Sequence, residues 1–315
     1  MNTTLLSNAP DAPSNSLTPL SDAVTGASIT PPGAWLPRGA WDCHVHVFDS
    51  RFPFSPHRTF TPANASLPAL REMRQRLRLD HSVIVQASAY GSDNSLLIEC
   101  LEHAEGLLRG VAVIDQAVTD DQLQRMNEAG VRGVRLNLET FGVTDPEKAS
   151  AHLHALAERI QRFGWHIQIY SRLAVFVALK AVLANLSCRV VIDHFGGVQA
   201  AGGIDQPDFA EFLALLAGGN VYLKLSAPSR ISRLTSQEDI QPIIEALLKV
   251  RPDRLLWGSD WPHTGGLPGQ IRQRDAIEPF VAIDDGANLN QLASWISDPS
   301  QRVDIWQANP AALYG

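Results

Sequence analysis

Eight short apolar runs, rich in Val, Ile and Leu, recur between residues 40 and 260 and alternate with longer amphipathic segments. Near-continuous apolarity is typical of strands that are buried on both faces, as in a parallel sheet. Parallel strands need long crossover connections, and the amphipathic segments supply them. We therefore predict eight parallel strands, with the sequences AWDCHVHV, SVIVQAS, RGVAVID, VRGVRLNL, WHIQIYS, RVVIDHF, NVYLKLS and RLLWGSD.

The intervening segments have the periodicity of helices, and LAVFVALKAVLANL is predicted as one of them. Left-handed caps are expected where these segments end at glycine, namely at Gly106, Gly130, Gly164 and Gly218. Eight strand–helix units close most economically into a (β/α)₈ barrel of the TIM type, and we assign this single domain to residues 39–315. An open doubly wound sheet is the alternative, but no glycine-rich phosphate loop follows the first strand.

Residues 1–38 differ from the rest of the chain, because Ser, Thr, Pro, Ala and Asn dominate them. Such a composition cannot bury enough apolar surface to offset the entropy lost on ordering. We therefore predict a flexible N-terminal arm.

Composition excludes several classes of partner. The net charge is −7 and no run of Lys and Arg occurs, which argues against nucleic acid. No apolar run approaches the roughly 20 residues of a membrane helix. Three widely spaced cysteines without a CxxC motif are typical of reduced thiols. The first Lys or Arg is Arg38, which comes too late in the chain for a secretory or transit signal. We expect a cytoplasmic protein without nucleic-acid or membrane partners, and a homo-oligomer is left open.

Catalytic groups of a (β/α)₈ barrel collect at the C-terminal ends of the strands. His44 and His46 end the first strand and leave it on the same side, because side chains alternate along a strand. Further polar side chains follow the second, fourth, fifth, sixth, seventh and eighth strands, in the order Ser88, Arg135, Tyr170, His194, Arg230 and Asp260. A helix cap or an exposed loop charge would explain each one alone. Three histidines and an aspartate at one barrel mouth instead favour a catalytic or metal site, while Lys224 is interpreted as barrel-filling or ion-paired.

These motifs resemble a known superfamily. An H-x-H at the end of the first strand, a His at the end of the sixth and an Asp at the end of the eighth resemble the amidohydrolase superfamily. The runs GSDWPH and NPAALYG resemble its amidohydrolase-related (type 2) branch. FPFSP, VIVQASAYGSDN, GVRGVRLN, VIDHFG and LLWGSDWPH are similar to the 2-pyrone-4,6-dicarboxylate lactonase group and its sugar-lactone relatives. The resemblance extends from about Gly39 to Gly315 and implies a lactonase with a TIM-type barrel.

Two departures from the resembled families concern metal and substrate. Metal-dependent amidohydrolases add a fifth-strand His and sometimes a fourth-strand Lys or Glu, where this chain has Tyr170 and Arg135, so a binuclear centre is not expected. The lactonase group binds its dicarboxylate with an aromatic hydroxyl and an extra arginine, where this chain has Phe60 and Phe141. The pyrone dicarboxylate is therefore not the expected substrate. The cofactor is left open between none and a single Zn²⁺ held by His44, His46, His194 and Asp260.

The resemblance implies hydrolysis of a small acidic lactone of the muconolactone, sulfomuconolactone or aldarolactone type. Asp260 is the expected general base for water. His44, His46 and His194 are expected to polarise the carbonyl group, directly or by holding a metal.

Substrate binding is expected from four further side chains. Arg135 and Arg230 would bind a carboxylate or sulfonate through the guanidinium fork, with hydrogen bonds from Ser88 and Tyr170. The alternatives are a galactarolactone-type isomerase, a metal-dependent decarboxylase, and a barrel that binds acidic metabolites without turnover.

Overall fold

The computed structural model describes residues 29–137, 146–265 and 272–315. Its main sheet contains eight parallel strands at the predicted places, with one or two residues trimmed from most ends. They are β1 (Trp41–Val45), β2 (His81–Val85), β3 (Leu108–Ala112), β4 (Val131–Asn137), β5 (His166–Tyr170), β6 (Val190–Ile192), β7 (Val221–Ser226) and β8 (Leu255–Gly258).

The sheet closes on itself. Each strand pairs in parallel with the next one along the chain. The first and last strands then meet through Val45 and Trp261, which form an isolated parallel bridge just beyond β8. The predicted single-domain (β/α)₈ barrel is therefore confirmed.

Helices alternate with the strands and bury apolar stripes against the sheet. α3 shows the local signals that set their ends: Thr119 and Gln122 form a capping box, and Gly130 terminates the helix with φ 112°. The helices are α1 (Leu67–Arg76), α2 (Ser95–Glu102), α3 (Asp120–Ala129), α4 (Pro146–Ile160), α5 (Leu173–Ala178), α6 (Lys180–Asn185), α7 (Phe209–Ala217), α8 (Pro228–Ile231), α9 (Gln241–Val250), α10 (Asp285–Ser294), α11 (Pro299–Val303) and α12 (Asn309–Tyr314). Across the described ranges, no helix has the length and apolarity that crossing a membrane requires.

Two helix predictions are wrong. The segment predicted as one helix after β5 forms α5 and α6, because Leu179 between them departs from helical geometry with φ −93° and ψ 6°. The bend keeps both Phe176 and Leu183 fully buried. Gly218 has a right-handed φ of −65°, and the left-handed residue is Gly219 at φ 91°, so the turn out of α7 comes one residue later than predicted.

Strand β1 contains an irregularity that sequence patterning does not show. Between Asp42 and Val45 it advances three residues while its partner β2 advances two, so one extra residue is inserted. Cys43 packs in the apolar cluster inside the N-terminal half of the barrel, together with Val83 and Leu256. The next residue, His44, also faces the interior, so the bulge turns the chain between them.

Residues 29–38 already contact the barrel. Thr30 donates to Asp284 at the start of α10 through its backbone N–H (2.9 Å) and its hydroxyl (2.7 Å). The ring of Trp35 packs edge-on against Trp306 with centroids 4.9 Å apart. Most of the predicted arm, residues 1–28, lies outside the described residues, and its flexibility stays a prediction.

Candidate active site

The two histidine- and aspartate-bearing motifs meet at the seam of the barrel. The N–H of Asp260 donates to the carbonyl oxygen of His44 at 2.9 Å, and the N–H of His46 donates to that of Trp261 at 2.8 Å. These backbone bonds continue the sheet beyond β8. They fix the register in which the first-strand histidines face the eighth-strand aspartate.

Asp42 and Gly258 stabilise the same contact between β1 and the end of β8. Oδ1 of Asp42 accepts hydrogen bonds from the backbone N–H groups of His44 (3.1 Å) and Ser259 (2.9 Å), so one carboxylate joins both motifs. A Cβ atom added at Gly258 would lie 2.7 Å from Cβ of His44. Only glycine therefore allows β8 to approach the histidine this closely.

Three imidazole rings surround one oxygen of Asp260. The Nε2 atoms of His44 and His46 lie 3.6 Å from Oδ1, and that of His194 lies 3.8 Å away. All four side chains are buried. The structure thus brings together the four residues that the sequence nominated as catalytic.

His44 and His46 both turn Nε2 toward Asp260. Nδ1–H of His46 donates to the carbonyl oxygen of Val85 at 2.8 Å, since a carbonyl can only accept. Nδ1 of His44 lies between an acceptor and a donor, 3.3 Å from Oδ1 of Asp193 and 3.4 Å from Nζ of Lys224. Burial lowers the pKa of His44 well below its usual range, so this ring is neutral at pH 7. Nε2 of His44 and Nε2 of His46 thus meet one carboxylate oxygen of Asp260, an arrangement of nitrogen and oxygen atoms that can bind a cation or hydrogen-bond to water.

His194 has a different environment. Its Nδ1 lies 2.8 Å from the Ser226 hydroxyl, which can donate to it and leave a proton on Nε2. Burial lowers the pKa of His194 to about 4 in spite of the Asp260 carboxylate nearby. Tyr170 packs edge-on against the ring, with centroids 5.2 Å apart. His194 is thus the imidazole that can donate a hydrogen bond into the site while neutral.

A buried polar network supports the site from inside the barrel. Lys224 Nζ donates to the Gln168 amide oxygen at 2.7 Å and lies 3.5 Å from Oδ1 of Asp193. The Gln168 amide nitrogen donates to Oδ2 of Asp193 at 3.0 Å. Burial would raise the pKa of Asp193, but His44 and Lys224 hold it well below its usual range. The sequence-based interpretation of Lys224 as an ion-paired, barrel-filling residue agrees with this geometry.

Arg230 binds Asp260 directly. Its Nε and Nη2 both donate to Oδ2, at 3.0 and 2.8 Å, and leave Oδ1 to face the histidines. Burial would raise the pKa of Asp260, but the Arg230 guanidinium and the imidazoles hold it well below its usual range. Asp260 is therefore ionised at pH 7. Within the described residues, Nη1 of Arg230 has no acceptor and can reach a ligand.

Arg135 approaches the site from β4. Its Nη2 lies 3.6 Å from Oδ2 of Asp193, and its Nη1 donates to the Gln86 carbonyl oxygen at 3.5 Å. Its Nε is buried and has no partner in the part of the chain that the structure describes. The Arg135 side chain also lines the cavity and places its positive charge beside a bound ligand.

The predicted site residues share one cavity, with a single exception: His44 is completely buried beneath it. The cavity is lined by His46, Phe48, Phe60, Ala87, Ser88, Arg135, Tyr170, His194, Arg230, Asp260, Thr264 and Arg272. A wider groove between α2 and α3 contains none of the predicted residues. Phe141 lies outside the described residues.

The donor set fits a single metal ion. His44, His194 and Asp260 each offer one ligand atom within 4.8 Å of the others. Nε2 of His44 is buried and has no hydrogen-bond partner among the described residues. Imidazole nitrogen and carboxylate oxygen are ordinary ligands of tetrahedral Zn²⁺. His46, the fourth predicted ligand, lies outside this group of three.

Sequence reasoning assigned no role in the site to several residues that shape it. Lys224 carried a signal, because a lysine within an otherwise apolar strand must be paired when buried. Asp193 immediately precedes His194, and its role appears only when β1 and β6 face each other across the barrel. Arg272 lies in a polar stretch with no pattern, and only the tertiary structure places it in the cavity wall.

Comparison with known proteins agrees with this geometry. A 2-pyrone-4,6-dicarboxylate hydrolase of Comamonas testosteroni is 36% identical over 249 residues, which cover 75% of this chain and 81% of that protein. A 4-sulfomuconolactone hydrolase of Rhizobium radiobacter is 33% identical over 288 residues, which cover 89% and 91%. A solved structure from Pseudomonas putida, assigned as a 2-pyrone-4,6-dicarboxylic acid hydrolase, has a TM-score of 0.74 and 32% identity and covers 89% of this chain and 98% of its own. Since the amidohydrolase family model also matches residues 41–315, where the barrel and its site lie, the chain belongs to the amidohydrolase family.

Proposed function

We propose that this protein hydrolyses a small acidic lactone, with Asp260 as the base that activates water. The observation that carries the proposal is the group of three imidazoles around Oδ1 of an ionised Asp260, in a cavity that also contains Arg135 and Arg230. The chain is an enzyme that acts on a cyclic ester, since relatives of its family at 36% and 33% identity are named as hydrolases of such compounds.

The geometry supports the following sequence of steps. The Asp260 carboxylate and Nε2 of His46 accept the two hydrogen bonds that a water molecule can donate and orient its oxygen toward the lactone carbonyl carbon, while His44 packs beneath them. Asp260 takes a proton as the new C–O bond forms, and Nε2–H of His194 donates to the developing oxyanion. The ring C–O bond then breaks, and Asp260 returns the proton to the leaving oxygen.

The arginines would hold the acidic group of the substrate. Nη1 of Arg230 has no acceptor among the described residues, and Arg135 lines the same cavity. Ser88 and Tyr170 line the same cavity and would add hydrogen bonds. A Zn²⁺ ion held by His44, His194 and Asp260 would supply a Lewis acid that polarises the carbonyl group, in place of the hydrogen bond from His194.

Isotope labelling tests the reaction. We expect turnover of at least one member of a panel of muconolactone, 4-sulfomuconolactone and aldarolactones, with one ¹⁸O atom from labelled water in the new carboxylate by mass spectrometry. An isomeric lactone without the label would show that the protein is an isomerase and not a hydrolase. No turnover of any acidic lactone would contradict the proposal.

Replacement of Asp260 by Asn tests the base. We expect kcat to fall by about 10²- to 10⁴-fold, the usual contribution of a general base. The fold should persist, because Asn readily adopts the left-handed backbone that Asp260 has at φ 70°. Steady-state kinetics and circular dichroism measure the two effects, with the exposed Asp275→Asn as control. Turnover near that of wild type would remove Asp260 from the mechanism.

Three further expectations stay predictions: a cytoplasmic location, the lack of nucleic-acid and membrane partners, and assembly into a homo-oligomer. They are compatible with a soluble metabolite as substrate.

A further inference from the structure

Arg272 is a third arginine in the wall of the active-site cavity. Its guanidinium lies over the ring of Phe60, with Cζ 3.5 Å from the ring centroid. Nε and Nη2 donate to the two carboxylate oxygens of Glu278, at 2.9 and 2.5 Å. The side chain is thus held from one face and along one edge.

The other edge of this guanidinium is available to a ligand. Arginine has five N–H donors, and Glu278 uses one on Nε and one on Nη2. Both donors of Nη1 and one of Nη2 remain, and no acceptor contacts Nη1 in the part of the chain that the structure describes. Two adjacent nitrogens of this kind match the two oxygens of a carboxylate or sulfonate.

The support for Arg272 is rigid. Phe60 and Glu278 are both buried. Thr61–Pro62 pairs in parallel with Ile277–Glu278, and the N–H of Ala63 donates to the Glu278 carbonyl oxygen at 3.3 Å. The segments that carry the ring and the carboxylate are therefore joined, which orders the arginine before a ligand arrives and lowers the entropy cost of binding.

The wall of the cavity contains more arginines than carboxylates. Among its described lining residues, three arginines accompany a single carboxylate, Asp260. Each arginine has a carboxylate partner, Asp260 for Arg230, Asp193 for Arg135 and Glu278 for Arg272, and it is the unused N–H donors of Arg272 that can bind an anion. Phe60 cannot bind an acidic group itself, but the guanidinium of Arg272 lies over its ring and can bind one there.

We propose that Arg272 is a specificity-determining residue that binds an anionic group of the substrate against the Phe60 wall. The identity of the substrate rests on the proposed lactonase function, whereas the anion site rests on the geometry of Arg272 alone. The expected substrate therefore carries a carboxylate or sulfonate besides the group bound by Arg135 and Arg230.

Paired substrates test this role. In Arg272→Met, we expect kcat/KM for 4-sulfomuconolactone, which has both a carboxylate and a sulfonate, to fall by about 10- to 100-fold, the range for a lost hydrogen bond to a charged group. The loss should lie mainly in KM, and muconolactone, which lacks the sulfonate, should be much less affected. The matched control is Arg274→Met, because Arg274 is exposed and paired with Asp275 at 3.2 Å outside the cavity. Equal losses for both lactones, or none, would overturn the proposal.

A binding measurement separates this inference from the proposed function. Isothermal titration with the unreactive dianion glutarate and the monoanion butyrate should show weaker glutarate binding in Arg272→Met and unchanged butyrate binding. If no lactone is turned over but this difference is found, the lactonase proposal fails and the anion site stands. If Arg272→Met does not fold, Arg272→Lys should show a smaller change in the same direction, since it keeps the charge and loses the fork. Unchanged glutarate binding in a folded variant overturns the site.

Discussion

Two residues of the site have backbones that most side chains avoid. His194 has φ 49° and Asp260 has φ 70°, both in the left-handed region. This conformation costs on the order of 1–3 kcal/mol per residue and is tolerated best by Asn, Asp and His. Each turn lies directly after a barrel strand and directs its side chain into the mouth. The backbone strain of these strand ends is thus concentrated where Asp260 meets the imidazoles.

Asp193 is expected to act as a positioning residue for His44. In Asp193→Asn the negative charge 3.3 Å from Nδ1 of His44 is lost, and we expect kcat to fall by about 10- to 100-fold, as for other residues that orient functional groups. KM should change little, because Asp193 does not line the cavity. Steady-state kinetics with the turned-over lactone measures both parameters.

The same substitution should reduce stability for a separate reason. Lys224 loses its buried counter-charge, and we expect the free energy of unfolding in urea to fall by about 3–5 kcal/mol. The double variant Asp193→Asn/Lys224→Met removes the unpaired charge and should regain stability without regaining kcat. Recovery of kcat in the double variant would show that Asp193 acts only on stability.

Among the elements, β1 and β8 decide whether a site forms at all. The bulge in β1 brings both Cys43 and His44 inside the barrel, although strict alternation would put adjacent residues on opposite faces. Gly258 in β8 then permits contact with His44. The site therefore depends on one inserted residue in the first strand and one missing side chain in the last.

Gly258→Ala tests this contact between strands. The new Cβ would lie 2.7 Å from Cβ of His44, closer than side chains tolerate, so His44 must move. We expect a loss of about 1–3 kcal/mol in unfolding free energy, typical of overpacking, together with a lower kcat. Urea denaturation and steady-state kinetics check the two effects. Gly218→Ala is the control, because Gly218 ends α7 with φ −65° away from the cavity; equal effects in both variants would contradict the role of Gly258.

At the scale of the whole molecule, the barrel is held together by contacts between distant parts of the chain. His263, after β8, is buried against Asp285 of α10, with Nε2 3.0 Å from the carboxylate. At the opposite end of the barrel, Arg109 donates to the carbonyl oxygen of Tyr314 at 2.9 Å. Such contacts link global stability to single buried pairs.

The His263–Asp285 pair predicts a pH dependence of stability. Burial would lower the pKa of His263, but the Asp285 carboxylate outweighs it and raises the pKa above the ordinary value of 6.5. The folded state then binds the proton more tightly than the unfolded state, so the stabilisation is complete below pH 6.5 and is lost as the pH rises through the higher folded value.

Urea denaturation at a series of pH values above and below this range measures the effect. His263→Gln should be less stable than wild type below pH 6.5, and the difference should shrink as the pH rises. The surface variant His152→Gln should keep the wild-type profile. A constant difference between His263→Gln and wild type at every pH would exclude protonation of His263 as the cause.

Local patterns in the sequence were enough to predict the architecture. Apolar runs at strand spacing require buried parallel strands, and eight of them with intervening helices have few ways to close. The same reasoning located His44, His46, His194 and Asp260, because the strands of such a barrel all present their C-terminal ends at one mouth. Helix details such as the break at Leu179 were missed, because packing of the surrounding core outweighs helical periodicity.

The sequence by itself thus determined the barrel and the chemical types of its mouth residues, since both depend on periodicity and on strand ends. Only the tertiary structure decided which atoms face each other. It showed that Arg230 binds Asp260, that Asp193 and Lys224 support His44, and that Arg272 joins the cavity from a loop without pattern. The physical reason is that hydrogen bonds, ion pairs and protonation states depend on distances of a few ångströms between segments far apart in the chain, and such distances leave no trace in local sequence.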